Sequence, residues 1–270
     1  MIEQVAVNQI SVSKGVVLVT GGARRLGREI ALGFAKSGWD VCVHYGQSES
    51  DARQTVRDIR ELGRRAVCLQ ADLEDEAAVT QLVPACREAL GEAPRCLVNN
   101  ASLFEHDTAT TLHYALLLKI MATNLAAPLV LAKEMHAALP DSAADQDETR
   151  GVVINILDMK LFALQPDHLS YTLAKSALHT ATALLAQSLG PKVRVVGVAP
   201  GLTMKLEAQS SRTYEMARSL TPLGQTSRPE DIVQACLYLA NSAAANGTTL
   251  VVDGGQHLLP QRRDTLFLFE

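Results

Sequence analysis

Seven short apolar runs, separated by stretches of helical pattern, constrain this chain more than any other feature. They are Gly15–Val19, Asp40–Tyr45, Ala66–Leu69, Cys96–Val98, Val152–Leu157, Val193–Val198 and Thr249–Val252. Most lack an in-and-out polar alternation, so each predicts a strand buried on both faces. Helical patterns over Arg28–Lys36, Asp51–Leu62, Glu74–Ala89, Leu117–Leu139, Leu169–Leu189 and Pro229–Leu239 lie between them. Strands joined through helices form a parallel sheet with right-handed crossovers. The expectation is an α/β fold: a single Rossmann-like, doubly wound parallel sheet of about seven strands with helices on both faces. Such sheets take their ligands at the carboxyl ends of the strands, where strand order reverses.

The 270 residues fit one large domain. Hydrophobic residues at 47% and charged residues at 20% exclude a disordered or fibrous chain. Lys and Arg number 25 against 29 Asp and Glu, a formal net charge of −4. That balance argues against nucleic acid or an anionic membrane as partner. The apolar stretch Ala115–Ala132 is interrupted by Lys119 and Asn124 and reads as a buried helix. Five cysteines, with no C-x-x-C pair, give neither a disulfide framework nor zinc spacing. The histidines show no paired metal spacing, so no metal is expected. No basic region followed by an apolar core opens the chain, which predicts a cytoplasmic address. Residues 1–14 read as an N-terminal extension, 141–150 as a solvated loop and 202–227 as a substrate-binding lid. Residues 258–270 read as a tail whose Leu266–Phe269 end is too apolar to hang free, and it is expected to pack on its own or a neighbouring subunit.

The first strand runs into Thr20-Gly21-Gly22-Ala23-Arg24-Arg25-Leu26-Gly27. Glycines there let the backbone approach a pyrophosphate, and the following helix points its free N–H groups at the anion. An NAD site places a carboxylate at the end of the second strand. Here that place reads His44-Tyr45-Gly46-Gln47-Ser48, while Arg24 and Arg25 stand in the first turn. Guanidinium groups suit a 2′-phosphate, so the expected cofactor is NADP(H). Tyr171 and Lys175 sit four residues apart on a predicted helix and share a face. A lysine ammonium beside the phenol is expected to lower its pKa and ready it for proton exchange.

Together these pieces resemble the short-chain dehydrogenase/reductase family along nearly the whole chain. The resemblance also takes in Asp72-Leu73, Asn99-Asn100-Ala101, Asn124, Pro200-Gly201 and Val252-Asp253-Gly254-Gly255. It implies an NADP(H) site built from Gly21, Arg24, Arg25, Leu26, His44, Tyr45, Ser48, Asp72, Leu73, Asn100, Ala101, Ser102, Lys175, Pro200, Gly201 and Thr203. Asp72 would meet the adenine, Asn100 the ribose region and Lys175 the nicotinamide ribose, with residues 200–203 over the nicotinamide. Asn124 would hold a water linking Lys175 to solvent, and the family implies a homotetramer.

Two departures narrow the resemblance. Arg25 stands where the turn usually has its middle glycine, and Asp158 stands where the catalytic serine is usual. Both, with His44-Tyr45 and Asn100-Ala101-Ser102-Leu103-Phe104, are similar to the pteridine reductase branch, including the bacterial dihydromonapterin reductases. That branch implies Arg25, Ser102, Phe104, Asp158 and Tyr171 around a pterin-like heterocycle, and Asp158, Tyr171, Lys175 and Asn124 as the catalytic set. Gly46 and Gln47 depart from the branch's more basic second strand end. Met204, Leu206 and Tyr214 are further candidates for ligand contact. The expected function is NADPH-dependent reduction of a pterin. The alternatives are reduction of a ketone or 3-oxoacyl thioester, and a non-catalytic NADP-binding module.

Overall fold

The computed structural model describes residues 13–145, 150–205, 210–265 and 267–268. Most of the N-terminal extension, part of the 141–150 loop, Leu206, and Leu266 and Phe269 of the tail lie outside these. The strands are β1 (Val16–Val19), β2 (Asp40–Tyr45), β3 (Ala66–Gln70), β4 (Pro94–Asn99), β5 (Gly151–Ile156), β6 (Val193–Pro200) and β7 (Thr249–Val252). All pair in parallel, in the order β3-β2-β1-β4-β5-β6-β7. The order reverses between β1 and β4, where a doubly wound sheet opens its crevice.

The helices are α1 (Arg25–Lys36), α2 (Glu49–Glu61), α3 (Glu76–Leu90), α4 (Tyr114–Met121), α5 (Ala127–Ala138), α6 (Leu169–Ser188), α7 (Ser211–Ser219) and α8 (Pro229–Asn241). Strand residues alternate between two cores. Val17, Val19, Val98 and Ile154 pack with Ile30 and Phe34 of α1, Ile59 of α2 and Ile232 of α8. Val16, Leu18, Leu97 and Val153 pack with Leu82 and Val83 of α3 and Leu131 and Met135 of α5. Each such side chain, fully buried, contributes about 1.5–3 kcal/mol. The uninterrupted apolar strands are thus explained: both sides of the sheet are covered.

Three elements differ from the sequence reading. The helix expected from Leu117 begins at Tyr114 and carries a π turn over Ala122–Ala126. This run, Tyr114–Ala138, is long and apolar enough to cross a membrane, yet one face packs into the core on α3. The 202–227 segment, read as a lid, contains helix α7, capped by the Ser210 hydroxyl, which accepts from Thr213 N at 3.0 Å. The 141–150 loop begins with a 3-10 turn over Asp141–Ala144.

Candidate active site

Strand carboxyl ends gather the candidate residues at the crevice. The turn after β1 is fixed from β4. Thr20 Oγ1 accepts from Asn100 N and Ala101 N, each at 3.0 Å, and Asn100 Nδ2 donates to Thr20 O at 2.9 Å. Gly21 has φ +61°, and a Cβ there would stand 3.0 Å from Ala101 Cα. Arg25 holds φ +51°, the left-handed region that glycine favours and a residue with Cβ enters at a cost. It occupies the usual middle-glycine position, and its guanidinium reaches across to donate to Lys205 O at 3.1 Å.

Beside the turn lies a cleft of about 860 Å³, within the range of cofactor sites. Its walls include Arg24, Arg25, Leu26, Tyr45, Ser48, Asp72, Leu73, Asn100, Ala101 and Ser102. The amino ends of α1 and α2 both open on it, and neither Arg24 nor Ser48 caps its helix with a side-chain bond. Unfilled helix N–H groups beside arginines form a cradle for anions. The nearest carboxylate after β2, Glu49, is engaged by Arg53 at 2.7 Å. These features fit a dinucleotide carrying an extra phosphate.

His44, expected to touch the cofactor, lines the same cleft and also has a structural task. The ring is 2% exposed and braces the turn from behind: Nδ1 accepts from Gly21 N at 3.1 Å and Nε2 donates to Ala71 O at 3.2 Å. Burial pulls its pKa from 6.5 down to about 4, against the Ala71 carbonyl. The unfolded chain therefore binds a proton that the native state refuses. Stability is fully present above about pH 6.5 and falls as pH drops toward 4, by a limit of about 3 kcal/mol. His44→Asn is expected to flatten this slope in urea melts at about pH 7.5 and about pH 4.5. An unchanged slope would remove His44 from the turn's energetics.

The second cluster forms where β5 meets α6. Tyr171 Oη donates to Asp158 Oδ2 at 2.7 Å, and Asp158 Oδ1 accepts from Lys160 N at 2.8 Å. Lys175 Nζ donates to Ile156 O at 2.6 Å and stands 5.8 Å from the centre of the Tyr171 ring. Burial pushes the Asp158 carboxyl up, against its hydrogen bonds from Lys160 N and Tyr171. Burial pulls Lys175 down to about 8. Tyr171 is held well above the ordinary tyrosine value by burial and then by the Asp158 charge. The expected lowering by Lys175 is therefore reversed here, because the ammonium bonds a carbonyl while the carboxyl takes the phenol. Tyr171 stays protonated and Asp158 resists ionisation, so the pair holds protons to give.

Phe104 forms a wall of this cluster. Its ring meets Tyr171 edge-on at 4.7 Å and stacks on His168 at 4.0 Å. Asn124 is buried in the π turn. Its side chain accepts from Leu103 N at 2.8 Å and donates to Leu103 O at 2.9 Å, pinning the strand-end loop that carries Phe104. The side chain thus holds that loop in place. Pro200 ends β6, and Thr203, 9% exposed, bonds Gly201 O and Ser227 Oγ at 2.9 Å each. Tyr214 of α7 donates to Thr203 O at 3.1 Å.

Several residues of this framework carried no sequence signal. Asn155 links Asn99 of β4 to Thr182 of α6 through bonds of 2.8 and 3.0 Å. Asp107, 1% exposed, accepts from Ser170 N at 3.0 Å and from the Ser170 hydroxyl, capping α6 from a distant loop. Lys160, Asp167, Arg263 and Asp264 join the C-terminal segment to the end of β5.

Comparison with known proteins agrees with this architecture. A family model described as Enoyl-(Acyl carrier protein) reductase matches residues 21–257. The chain is 37% identical to FolM alternative dihydrofolate reductase 1 from Brucella canis, solved with NADP, with a TM-score of 0.86 over 94% of this chain and 98% of that one. It is 31% identical to a Streptomyces violaceoruber protein named as ketoacyl reductase 2 of the granaticin polyketide synthase, over 90% of this chain and 96% of the relative. It is also 31% identical to 3beta-hydroxysteroid dehydrogenase 1 of Eggerthella lenta, over 90% and 94%.

Proposed function

This chain belongs to the short-chain dehydrogenase/reductase family, and from that premise we propose that it is an NADPH-dependent reductase of pterins. One observation carries the reading: a carboxyl, Asp158, bonds the Tyr171 hydroxyl at 2.7 Å where the resemblance leads one to expect a serine. A serine hydroxyl suits a carbonyl oxygen. A carboxyl suits a heterocycle that offers amine and ring N–H donors and needs a proton beside its reduced C=N bond. The similarity to FolM alternative dihydrofolate reductase 1 supports the same substrate class.

The turn and the uncapped ends of α1 and α2 would hold the cofactor's phosphates, with Arg24 and Arg25 supplying positive charge for them. Asp72, Asn100 and Lys175 would hold its adenine, central and nicotinamide ends. When bound, the reduced nicotinamide supplies hydride equivalents. The chain's own part is proton supply and placement. Phe104 offers an aromatic face to the heterocycle, Ser102 and Arg25 offer polar contacts at its rim, and Tyr171 gives the proton to the ring nitrogen. Asp158 re-protonates Tyr171. Lys175 keeps a cation by the phenol as charge develops. Thr203 and α7, from the segment read as a lid, would border the substrate.

Relatives named for ketone chemistry favour a second reading, reduction of a ketone or 3-oxoacyl thioester. Asp158 repels the developing alkoxide of such a substrate only when ionised, so turnover decides between the two readings. NADPH oxidation should therefore be measured with dihydrobiopterin, dihydromonapterin, dihydrofolate and acetoacetyl thioester. A dihydropterin is expected to exceed the thioester in kcat/KM by about 10²-fold or more, and NADPH to be preferred over NADH. A thioester turned over as well as the pterins would sink the reading, and oxidation with none of them would leave a binding module.

The same proposal extends to assembly and address. Tyr114 at 74% and Leu118 at 50% exposure on α4, with Tyr238 at 63% on α8, are apolar surface that further copies of this chain would cover. A homotetramer by light scattering is the expected result; a monomer would refute it. All five cysteines are free thiols, which suits a reducing cytoplasm.

A further inference from the structure

The C-terminal segment returns to the end of β5 within the same chain. Lys160 Nζ donates to Asp264 Oδ2 at 2.7 Å, with the two side chains 3% and 14% exposed. Asp264 is held in place from several directions. Its N–H donates to Asp167 Oδ2 at 2.9 Å, and Asp167 also takes the Arg263 guanidinium at 2.8 Å. Phe267 packs on His106 at 4.7 Å and on His168 at 5.9 Å, with Arg263 over its ring at 5.0 Å.

Lys160 follows Asp158 by two residues, and its backbone N–H already bonds the Asp158 carboxyl. A buried ammonium is thus tethered beside the catalytic acid, while its anionic partner arrives from 104 residues away. A buried cation stripped of its partner is strongly destabilised, and the Asp158 carboxyl, which already feels the Lys160 charge, lies within its electrostatic reach. We propose that Asp264 is a positioning residue: by holding the Lys160 ammonium it keeps that cation from pairing with Asp158, and so leaves the Asp158 carboxyl to the Tyr171 hydroxyl. The kinetic consequence rests on the proposed role of Asp158 in the proton relay; the charge placement stands without it.

Among the described residues, the charged and titratable groups facing Asp158 are Tyr171 and Lys175 from α6, Lys160 from the 3-10 turn after β5, and Asp264 from the tail. His168, at the start of α6, faces Lys160 and Asp264. Lys160 favours the Asp158 carboxylate and Asp264 opposes it. Asp264→Asn releases Lys160 onto Asp158 and stabilises the ionised form. Asp158 then loses its proton at lower pH, and an activity needing that proton falls along an alkaline limb displaced downward. Each unit of displacement lowers turnover about tenfold above the limb.

The test is the titration of Asp158 by 13C-carboxyl NMR in aspartate-labelled protein saturated with NADP+, its resonance assigned by loss in Asp158→Asn. In Asp264→Asn the midpoint is expected to fall by about one unit or more. In the double variant Lys160→Met/Asp264→Asn it is expected to return, and the kcat–pH profile to return with it. A tail that serves only as an anchor would show no such rescue. An unmoved midpoint in Asp264→Asn, or a double variant no better than the single, overturns the proposal. Should Asp264→Asn not fold, Lys160→Met alone must raise the midpoint, and failure to do so overturns it equally. Full dihydropterin turnover by Asp158→Asn would instead defeat the relay while leaving the titration result in force.

Discussion

Tyr171→Phe is expected to lower kcat for dihydropterin reduction by about 10²–10⁴-fold, the contribution of a positioned general acid, and to leave NADPH affinity unchanged. The substitution removes one oxygen and keeps the ring that Phe104 meets at 4.7 Å. The loss therefore isolates proton transfer from packing. It also strips Asp158 of its 2.7 Å partner, so the half-buried carboxyl should titrate higher still, because the hydrogen bond from Tyr171 favours its ionised form. Asp158→Asn keeps hydrogen-bonding capacity without an exchangeable acid proton and should also lose most turnover. Since Tyr171 is held well above its usual value and Lys175 sits at about 8, wild-type activity should decline on the alkaline side. Lys175 loses its proton there, while Tyr171 keeps its own. Stopped-flow NADPH oxidation separates the steps: near-full single-turnover rates in both variants would sink the relay.

The sheet was legible because burial on both faces leaves a plain mark, an apolar run without alternation. The turn after β1 was legible for a similar reason, since backbone that must come close to other backbone requires glycine. Arg25 shows the limit of that reasoning. Its residue type pointed to phosphate, but neither its left-handed backbone nor its bond to Lys205 O, 180 residues away, has a local mark. The π turn over Ala122–Ala126 interrupts a helix whose periodicity is unbroken in sequence. Its cause is tertiary, the paired bonds from Asn124 to the Leu103 backbone. His44 was read as a cofactor contact from the family resemblance, and it does line the cleft near the end of β2. Nothing local shows that Gly21 and Ala71 occupy both ring nitrogens. The Tyr171–Lys175 spacing located the proton-handling face, yet the sign of the tyrosine's shift came from burial and from Asp158, 13 residues earlier. Contacts made by the chain's end with residues 158–168 were beyond any local pattern. The tail was expected to pack because it is apolar, but what it brings to the site is the charge of Asp264.

Gly27→Ala should abolish measurable NADPH binding and also destabilise the fold. A Cβ at this position would lie 2.1 Å from Gly21 O and 2.5 Å from Asn100 Nδ2. Neither neighbour is a flexible side-chain end. Gly21 O belongs to the turn itself, and Asn100 Nδ2 is committed to Thr20 O at 2.9 Å and Gly21 O at 3.3 Å. Relief therefore requires α1 to back away from the turn, which moves the helix N–H groups from the anion they are placed to hold. Overpacking of a rigid contact costs about 1–3 kcal/mol and occasionally more. In a chain of this size, about 3 kcal/mol corresponds to a fall in Tm of about 6–12 °C. Gly46→Ala supplies the control, since a Cβ there meets nothing within 4 Å although the residue lines the same cleft. Its Tm should stay at the wild-type value. Calorimetry and NADPH fluorescence titration on both variants read the two effects together. A Gly27→Ala protein with wild-type Tm and cofactor affinity would mean that the turn does not need the close approach this structure gives it.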